Sequence, residues 1–414
     1  MKRLILLALA CTAVALGGPH LAEQMRAPGS DQPEVAVADR AAQIERGAYL
    51  AKAGNCIACH TTRGGAPYAG GRSLETPFGV MYGPNLTTDP ATGIGNWSAD
   101  DFWRALHNGK GKDGRLLYPA FPYPNYTKVT RADSDAMFAW FRTMAPVRQQ
   151  NRAHELRFPY NQRPLLAYWR ALYFTPGAYT QEPAQSVLWN RGAYLVQGLG
   201  HCSACHAPRN ALGASLGETR LDGGQVGAQG WQAPALGGVA DTAELAQLLH
   251  TGVSEYRALA GPMAEVTGAS LQHLKADDVG AMATYLVSLP ALEAAPARTR
   301  PEGIDAVLKR GAAIYTQHCA SCHGDQGEGA ARAYPRLTSK ANAPAANAIR
   351  MVLDGGYGPS TAGNPRPFGM PPFSDALSDA DVAAVLTHVR SSWGNQGGAV
   401  LPQEVGRLRA TPDH

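Results

Sequence analysis

Charge is scarce in this 414-residue chain: Lys, Arg, Asp and Glu together make up 17% of it, and the formal net charge is only +4. The 37 cations and 33 anions are dispersed, with no Lys/Arg block of the kind that marks a nucleic-acid surface. Long apolar runs are missing too. The longest, Leu4 to Leu16, falls short of the ~20 residues a spanning helix needs. No later segment reaches that length without a charge, Pro or Gly. No glycine-rich dinucleotide fingerprint follows a strand, and there is no phosphate loop and no Gly-x-Ser-x-Gly elbow, which argues against nicotinamide, nucleotide and serine-hydrolase chemistry. Gly64-Gly65 and Gly70-Gly71 read as turns. What is plentiful is Gly (46), Pro (30) and apolar residues (45%), a mixture that predicts short helices joined by many loops around real cores.

The N-terminus has the layout of a secretory signal over 1–30. Lys2 and Arg3 precede the apolar run, and small residues follow at Ala15, Gly17 and Gly18. An uncleaved anchor and a lipid attachment at Cys11 are the competing readings, the latter weakened by Ala8-Leu9-Ala10 in front of it. Of the seven cysteines, Cys11 leaves with the signal. The other six form three pairs, which in an exported chain would ordinarily suggest disulfides. Here a His follows every pair: Cys56-Ile57-Ala58-Cys59-His60, Cys202-Ser203-Ala204-Cys205-His206 and Cys319-Ala320-Ser321-Cys322-His323. Two cysteines one helical turn apart can both form thioethers with the vinyl groups of one porphyrin, and the adjacent imidazole can ligate its iron. Zinc would need further Cys or paired His ligands. The expectation is three covalently bound haem c groups, with His60, His206 and His323 as proximal ligands and no thiol left over as a nucleophile.

The repeat extends beyond these motifs and sets the domains. Arg46-Gly47-Ala48-Tyr49-Leu50, Arg191-Gly192-Ala193-Tyr194-Leu195 and Arg310-Gly311-Ala312-Ala313-Ile314-Tyr315 each open a helix ahead of a cysteine pair. A middle helix follows at 100–108, 242–252 and 345–354, and a closing helix at 134–144, 277–288 and 379–392, with Asp or Ser caps and helical apolar spacing. The resulting expectation is an all-α chain of three tandem domains on the plan of class I cytochrome c, at 36–147, 186–290 and 303–400. In each, opening and closing helices cross at the Gly and loops wrap the porphyrin. An Ala/Pro-rich connector occupies 291–302. The longer linker, 148–185, contains an apolar stretch from Pro164 to Phe174 that reads either as a buried helix or as one facing a membrane or partner.

Iron in such a domain usually takes Met on the side opposite His, in the loop before the closing helix. Met263 and Met370, each beside a Pro, fit that place in the second and third repeats, with packing as the bland alternative. In the first repeat Phe121 stands there instead, and Phe cannot ligate iron. Met81, Met137, Met144 and His107 are the substitutes. His107 shares a Leu-His-x-Gly setting with His250, so it reads as structural. Ligation of the first haem stays open at this point, with a five-coordinate or weakly ligated iron as one of the readings.

Taken together the chain resembles the triheme cytochrome c subunits of periplasmic, membrane-associated bacterial dehydrogenases. The resemblance runs from about Ile44 to Asn395. It rests on the three motifs and on Thr76-Pro77-Phe78-Gly79, Asn85-Leu86-Thr87-Thr88-Asp89, Leu117-Tyr118-Pro119-Ala120-Phe121-Pro122-Tyr123, Gly198-Leu199-Gly200-His201-Cys202 and Ser391-Ser392-Trp393-Gly394-Asn395. It implies an electron-transfer subunit, not a substrate-converting enzyme. Such a subunit takes electrons from a catalytic dehydrogenase subunit and hands them to ubiquinone or a terminal oxidase, in the periplasm and peripherally on the cytoplasmic membrane. Phe121, Gly261-Pro262-Met263-Ala264-Glu265-Val266 and Leu271-Gln272-His273-Leu274 look most like the branch serving molybdenum hydroxylases for aldehydes or nicotinate. A flavoprotein or quinoprotein partner, or a freestanding shuttle, are the alternatives. A haem peroxidase would need acid/base residues beside an open iron, and no such arrangement is evident.

Overall fold

The computed structural model describes residues 39–217, 219–227, 230–292, 303–338 and 344–411. The signal segment, most of the Ala/Pro connector and the last residues lie outside the described range. The described residues form two compact units: one takes those up to 185 with 194–204 and 210–214, the other takes 186–193, 205–209 and those from 215 onward.

In the first unit, α1 (Arg40–Ala53) leads into α2 (Cys56–His60). A hairpin of β1 (Ser73–Thr76) and β2 (Gly79–Tyr82) follows, then α3 (Ala99–Asn108), α4 (Tyr123–Tyr126) and α5 (Arg131–Phe141). Local chemistry fixes the ends. Asp39 caps α1, a Ser98/Asp101 capping box starts α3, left-handed Gly109 stops it, and Thr130 caps α5. The α1 and α5 helices cross at Gly47, where a Cβ would overlap the Ala136 carbonyl. Around the crossing, Tyr68 sets its ring edge-on to Trp140 and Phe141 at 5.4 and 5.5 Å, and Phe102 packs on Phe138 and Phe141. In the linker, β3 (Glu155–Leu156) adds to β2 antiparallel, and α6 (Leu166–Tyr173) carries the apolar stretch. The α6 face is mixed. Leu166, Ala167 and Arg170 are buried, while Leu172 stands 69% exposed, so neither the wholly buried nor the wholly outward reading describes it.

The helix α7 (Val187–Gln197) begins the second repeat, followed by α8 (Ser203–His206). In the second unit come hairpin β4 (Gly224–Val226) and β5 (Trp231–Ala233), then α9 (Thr242–Thr251), α10 (Pro262–Ala269) and α11 (Ala276–Val287). The third repeat holds α12 (Ile304–His318), α13 (Ala320–His323), α14 (Ala345–Asp354), the pair β6 (Gly356–Tyr357) and β7 (Gly369–Met370), α15 (Asp379–Ser391) and α16 (Pro402–Arg409). Gly192 meets the Ala281 carbonyl and Gly311 the Ala384 carbonyl as Gly47 meets Ala136. Within the second unit the second and third repeats are stitched together: Arg332 N–H donates to Glu255 O, Arg336 N–H to Tyr256 O, and Asn347 exchanges two bonds with the Gln232 backbone.

The all-α expectation needs one correction. The described chain is mainly helical, but two- and three-stranded antiparallel ribbons punctuate the loops. They arise where a loop doubles back at glycine, as at Gly79 (φ 128°), and pairs its own backbone groups. Among the described residues no helix is long and apolar enough to cross a membrane.

Candidate haem-attachment sites

Each cysteine pair starts or adjoins a single helical turn that ends on its His. The turn brings both thiols and the imidazole to one end of the opening helix. All six cysteines are unbridged and half-buried. Burial, with Cys59 beside it, pushes the Cys56 thiol up to about 12, and Cys319 rises to about 11 for the same reasons. These are protonated, partly enclosed thiols, not thiolate nucleophiles.

The three imidazoles are held alike. His60 Nδ1 lies 2.7 Å from Pro84 O, His206 Nδ1 2.7 Å from Pro234 O, and His323 Nδ1 3.0 Å from Pro335 O. A carbonyl can only accept, so Nδ1 carries the proton and Nε2 keeps its lone pair. Burial also holds all three below the ordinary histidine value, against the opposing pull of the proline carbonyl. A neutral, oriented imidazole with Nε2 free is the form that ligates iron. Two adjacent thiols with such a His fit a covalently attached haem at each motif. When bound, that group would supply a one-electron redox centre, and His60, His206 and His323 would hold its iron.

The three acceptors share a pattern in the sequence. Pro84-Asn85-Leu86, Pro234-Ala235-Leu236 and Pro335-Arg336-Leu337 are each Pro-x-Leu, a signal too short to single out without the His contacts. A second recurrent feature emerges only from the structure. Arg46 Nε bonds Asp133 at 2.7 Å, Arg191 Nε bonds Asp278 at 2.7 Å and Arg310 Nε bonds Asp381 at 2.9 Å. The Arg before each crossing Gly is thus tied to the start of its closing helix.

The methionine candidates differ in setting. Met370 lies on β7 and packs, with Cys319 and Trp393, against the core of α12, α14 and α15. Met263 is the second residue of α10, half-buried. In the first repeat, Phe121 places its ring 5.3 Å from Tyr126. Met81 is held in the β1–β2 hairpin opposite Leu74, and Met137 is 1% exposed in α5, both as packing residues. His107 stacks on Trp103 at 4.3 Å, while His250 bonds Gln272 O at 3.2 Å. His250 thus ties the end of its middle helix to the segment ahead, and His107 packs against Trp103 on its own helix.

A cytochrome c family profile matches residues 44–145 and 308–393. The chain is 42% identical over 390 residues to a subunit of the nicotinate dehydrogenase of Pseudomonas putida, a match that covers 90% of this chain but only 32% of that longer protein. It is 38% identical over 398 residues to the gluconate 2-dehydrogenase cytochrome c subunit of Pantoea cypripedii, covering 89% of this chain and 90% of that one. It is 37% identical over 399 residues to the cytochrome c subunit of the quinone alcohol dehydrogenase of Gluconobacter oxydans, covering 89% and 83%. Covalent haem c and electron transfer follow from this kinship. By its attachment motifs, its oriented histidines and this near full-length likeness, the chain belongs to the cytochrome c family.

Proposed function

We propose that the chain binds three haem c groups and serves as the electron-transfer subunit of a periplasmic dehydrogenase. Haem is tethered at Cys56/Cys59, Cys202/Cys205 and Cys319/Cys322, with His60, His206 and His323 as proximal ligands. Met263 and Met370 would complete the second and third irons, and the first repeat carries Phe121 at the usual methionine place. Three domains, 36–147, 186–290 and 303–400, carry one haem each. The observation that carries this reading is the threefold recurrence of one geometry, in which each motif's His is fixed through Nδ1 by a Pro-x-Leu carbonyl.

Electrons arrive singly from the catalytic partner, cross the three irons and leave to ubiquinone or a terminal oxidase. The chain has no substrate-converting site of its own. It sits in the periplasm, after removal of the 1–30 signal, and associates peripherally with the cytoplasmic membrane. The partner we favour is a molybdenum hydroxylase: Phe121 and the 42% identity to a nicotinate dehydrogenase subunit support it. A flavin or quinone sugar or alcohol dehydrogenase is the second reading, supported by relatives matched over nearly their whole length. Affinity purification from native membranes tests both. Recovery of a subunit containing molybdopterin supports the first, a flavin or pyrroloquinoline quinone subunit supports the second, and a chain that elutes alone contradicts both.

A further inference from the structure

The linker of the first unit carries its charge and its apolar groups the wrong way round for a water-facing surface. On α6 the Arg170 guanidinium is buried over the rings of Tyr123 and Phe174, beside buried Leu166 and Ala167. The opposite face is apolar. Leu165, just before α6, then Trp169 and Leu172 recur at i, i+4 and i+7, the spacing of the stripe that a surface helix ordinarily turns to the core. Here Leu172 is 69% exposed, Leu165 42%, and Trp169 is half-buried. The indole N–H of Trp169, its only donor, is taken by Leu212 O at 2.9 Å, so the rest of the ring is hydrocarbon without a polar demand. Leu212 is itself exposed.

The turn ahead of α6 extends this face. Phe158 stands 80% exposed on it. The turn is held in place: Arg157 N–H donates to Phe78 O at 3.0 Å, Asn161 N–H to Arg157 O at 3.2 Å, and the Tyr118 hydroxyl to Tyr160 O at 3.0 Å. The Tyr160 ring packs on Phe78 at 4.6 Å, and Phe78 also lies against Gly213, next to Leu212, which joins the turn to the α6 stripe. Cations flank these positions in the chain. Arg157 and Arg163 bond the carbonyls of Pro77 and Leu116, neutral acceptors that leave their charge in place. From Leu156 to Gln181 there is no Asp or Glu. Held Trp, Phe and Leu side chains between arginines make up a face suited to the surface of an anionic bilayer. The hydrocarbon enters the acyl boundary, the aromatic rings sit at head-group level and the guanidiniums meet phosphate. A purely apolar protein contact would account for the leucines but not for the acid-free stretch around them.

We propose that the linker face formed by Phe158, Leu165, Trp169 and Leu172, with Arg157 and Arg163 beside it, is the surface by which the chain lies on an anionic phospholipid bilayer. This rests on the reading that the chain associates peripherally with the cytoplasmic membrane, and it assigns that association to one side of the first unit. No spanning segment is needed: among the described residues no helix is long and apolar enough to cross a bilayer, and a face of this kind enters only its outer layer.

The test uses the exported, haem-loaded full chain and vesicles of phosphatidylcholine with and without phosphatidylglycerol. Co-sedimentation should recover the wild-type chain on the anionic vesicles and much less of it on the neutral ones. Hydrogen exchange read by mass spectrometry should slow over 157–173 when the anionic vesicles are present. Changing Phe158, Leu165 and Leu172 together to Ser should lower the partition by about ten-fold or more, with haem content and helical circular dichroism unchanged, since all three side chains are exposed. Leu401→Ser, at an exposed leucine of the other unit, should bind as the wild type does. Undiminished binding by the triple variant, equal partition onto neutral and anionic vesicles, or exchange protection that spares 157–173 would each overturn the proposal. Where the triple variant loses haem, Phe158→Ser alone and the exchange protection decide. A wild-type chain that leaves both kinds of vesicle alone also overturns it, and fractionation of native cells then separates the two readings. A chain found with the membranes leaves peripheral association standing through another contact, whereas one found in the soluble periplasm removes both.

Discussion

At the scale of single residues, the ligand set makes the sharpest statements. Thioether is a soft donor that favours ferrous iron and raises the potential. Met370→Leu should therefore lower the potential of one haem or turn it high-spin, while the other two are undisturbed. An unchanged titration and spectrum would remove Met370 as a ligand. The first repeat makes the complementary case. With Phe121 at the usual methionine place, carbon monoxide should bind reduced wild-type protein at one haem in three, and Phe121→Met should suppress that binding. Carbon monoxide uptake by none, or equally by all, would contradict it. The crossing glycines are equally exposed to test. A Cβ at Gly47 runs into the backbone carbonyl of Ala136, which cannot swing aside as a side chain can. Gly47→Ala should cost roughly 1–3 kcal/mol by overpacking, read from denaturant unfolding of the holoprotein.

Helices and their ties set the next scale. In the third repeat, the Ser378 hydroxyl and then Arg310 hold the Asp381 carboxyl below its ordinary range. A carboxylate whose folded pKa is depressed contributes stability that is complete above its unfolded value and is lost as pH falls through the folded one. The α12–α15 crossing should therefore loosen on acidification below the ordinary carboxylate range. Asp381→Asn should flatten the acid limb of the thermal midpoint against pH; parallel wild-type and variant limbs would show that the tie is energetically idle. Much at this scale is legible in the sequence. The middle helices and the last two closing helices lie within about a residue of where apolar spacing puts them, with Ser98, Asp241 and Ser378 as caps on three of them, whereas the first closing helix starts three residues early, at Arg131 under a Thr130 cap. The hairpins are not legible. Ser73–Thr76 and Gly79–Tyr82 pair through backbone groups, and their composition carries no clear alternation. The linker helix is half legible. Its apolar stretch marks the helix, but Arg170 points inward over Tyr123 and Phe174 at 5.2 and 4.7 Å, leaving Leu172 outside. An inward guanidinium stacked on aromatic faces leaves no periodic trace in hydropathy.

For the whole molecule, the attachment chemistry is readable because it is contiguous in sequence, five residues at a time. The Pro-x-Leu carbonyls and the Arg–Asp ties are not, because each joins positions far apart in the chain. Everything at this scale depends on porphyrin being tethered at all three cysteine pairs. The most direct measurement is the intact mass of the denatured, exported chain, with pyridine haemochrome on the same sample. Three haem additions that survive denaturation are expected, falling to two when both cysteines of any one motif are changed to alanine. A denatured chain of bare polypeptide mass, or a haemochrome assay that finds no haem, would contradict the assignment outright.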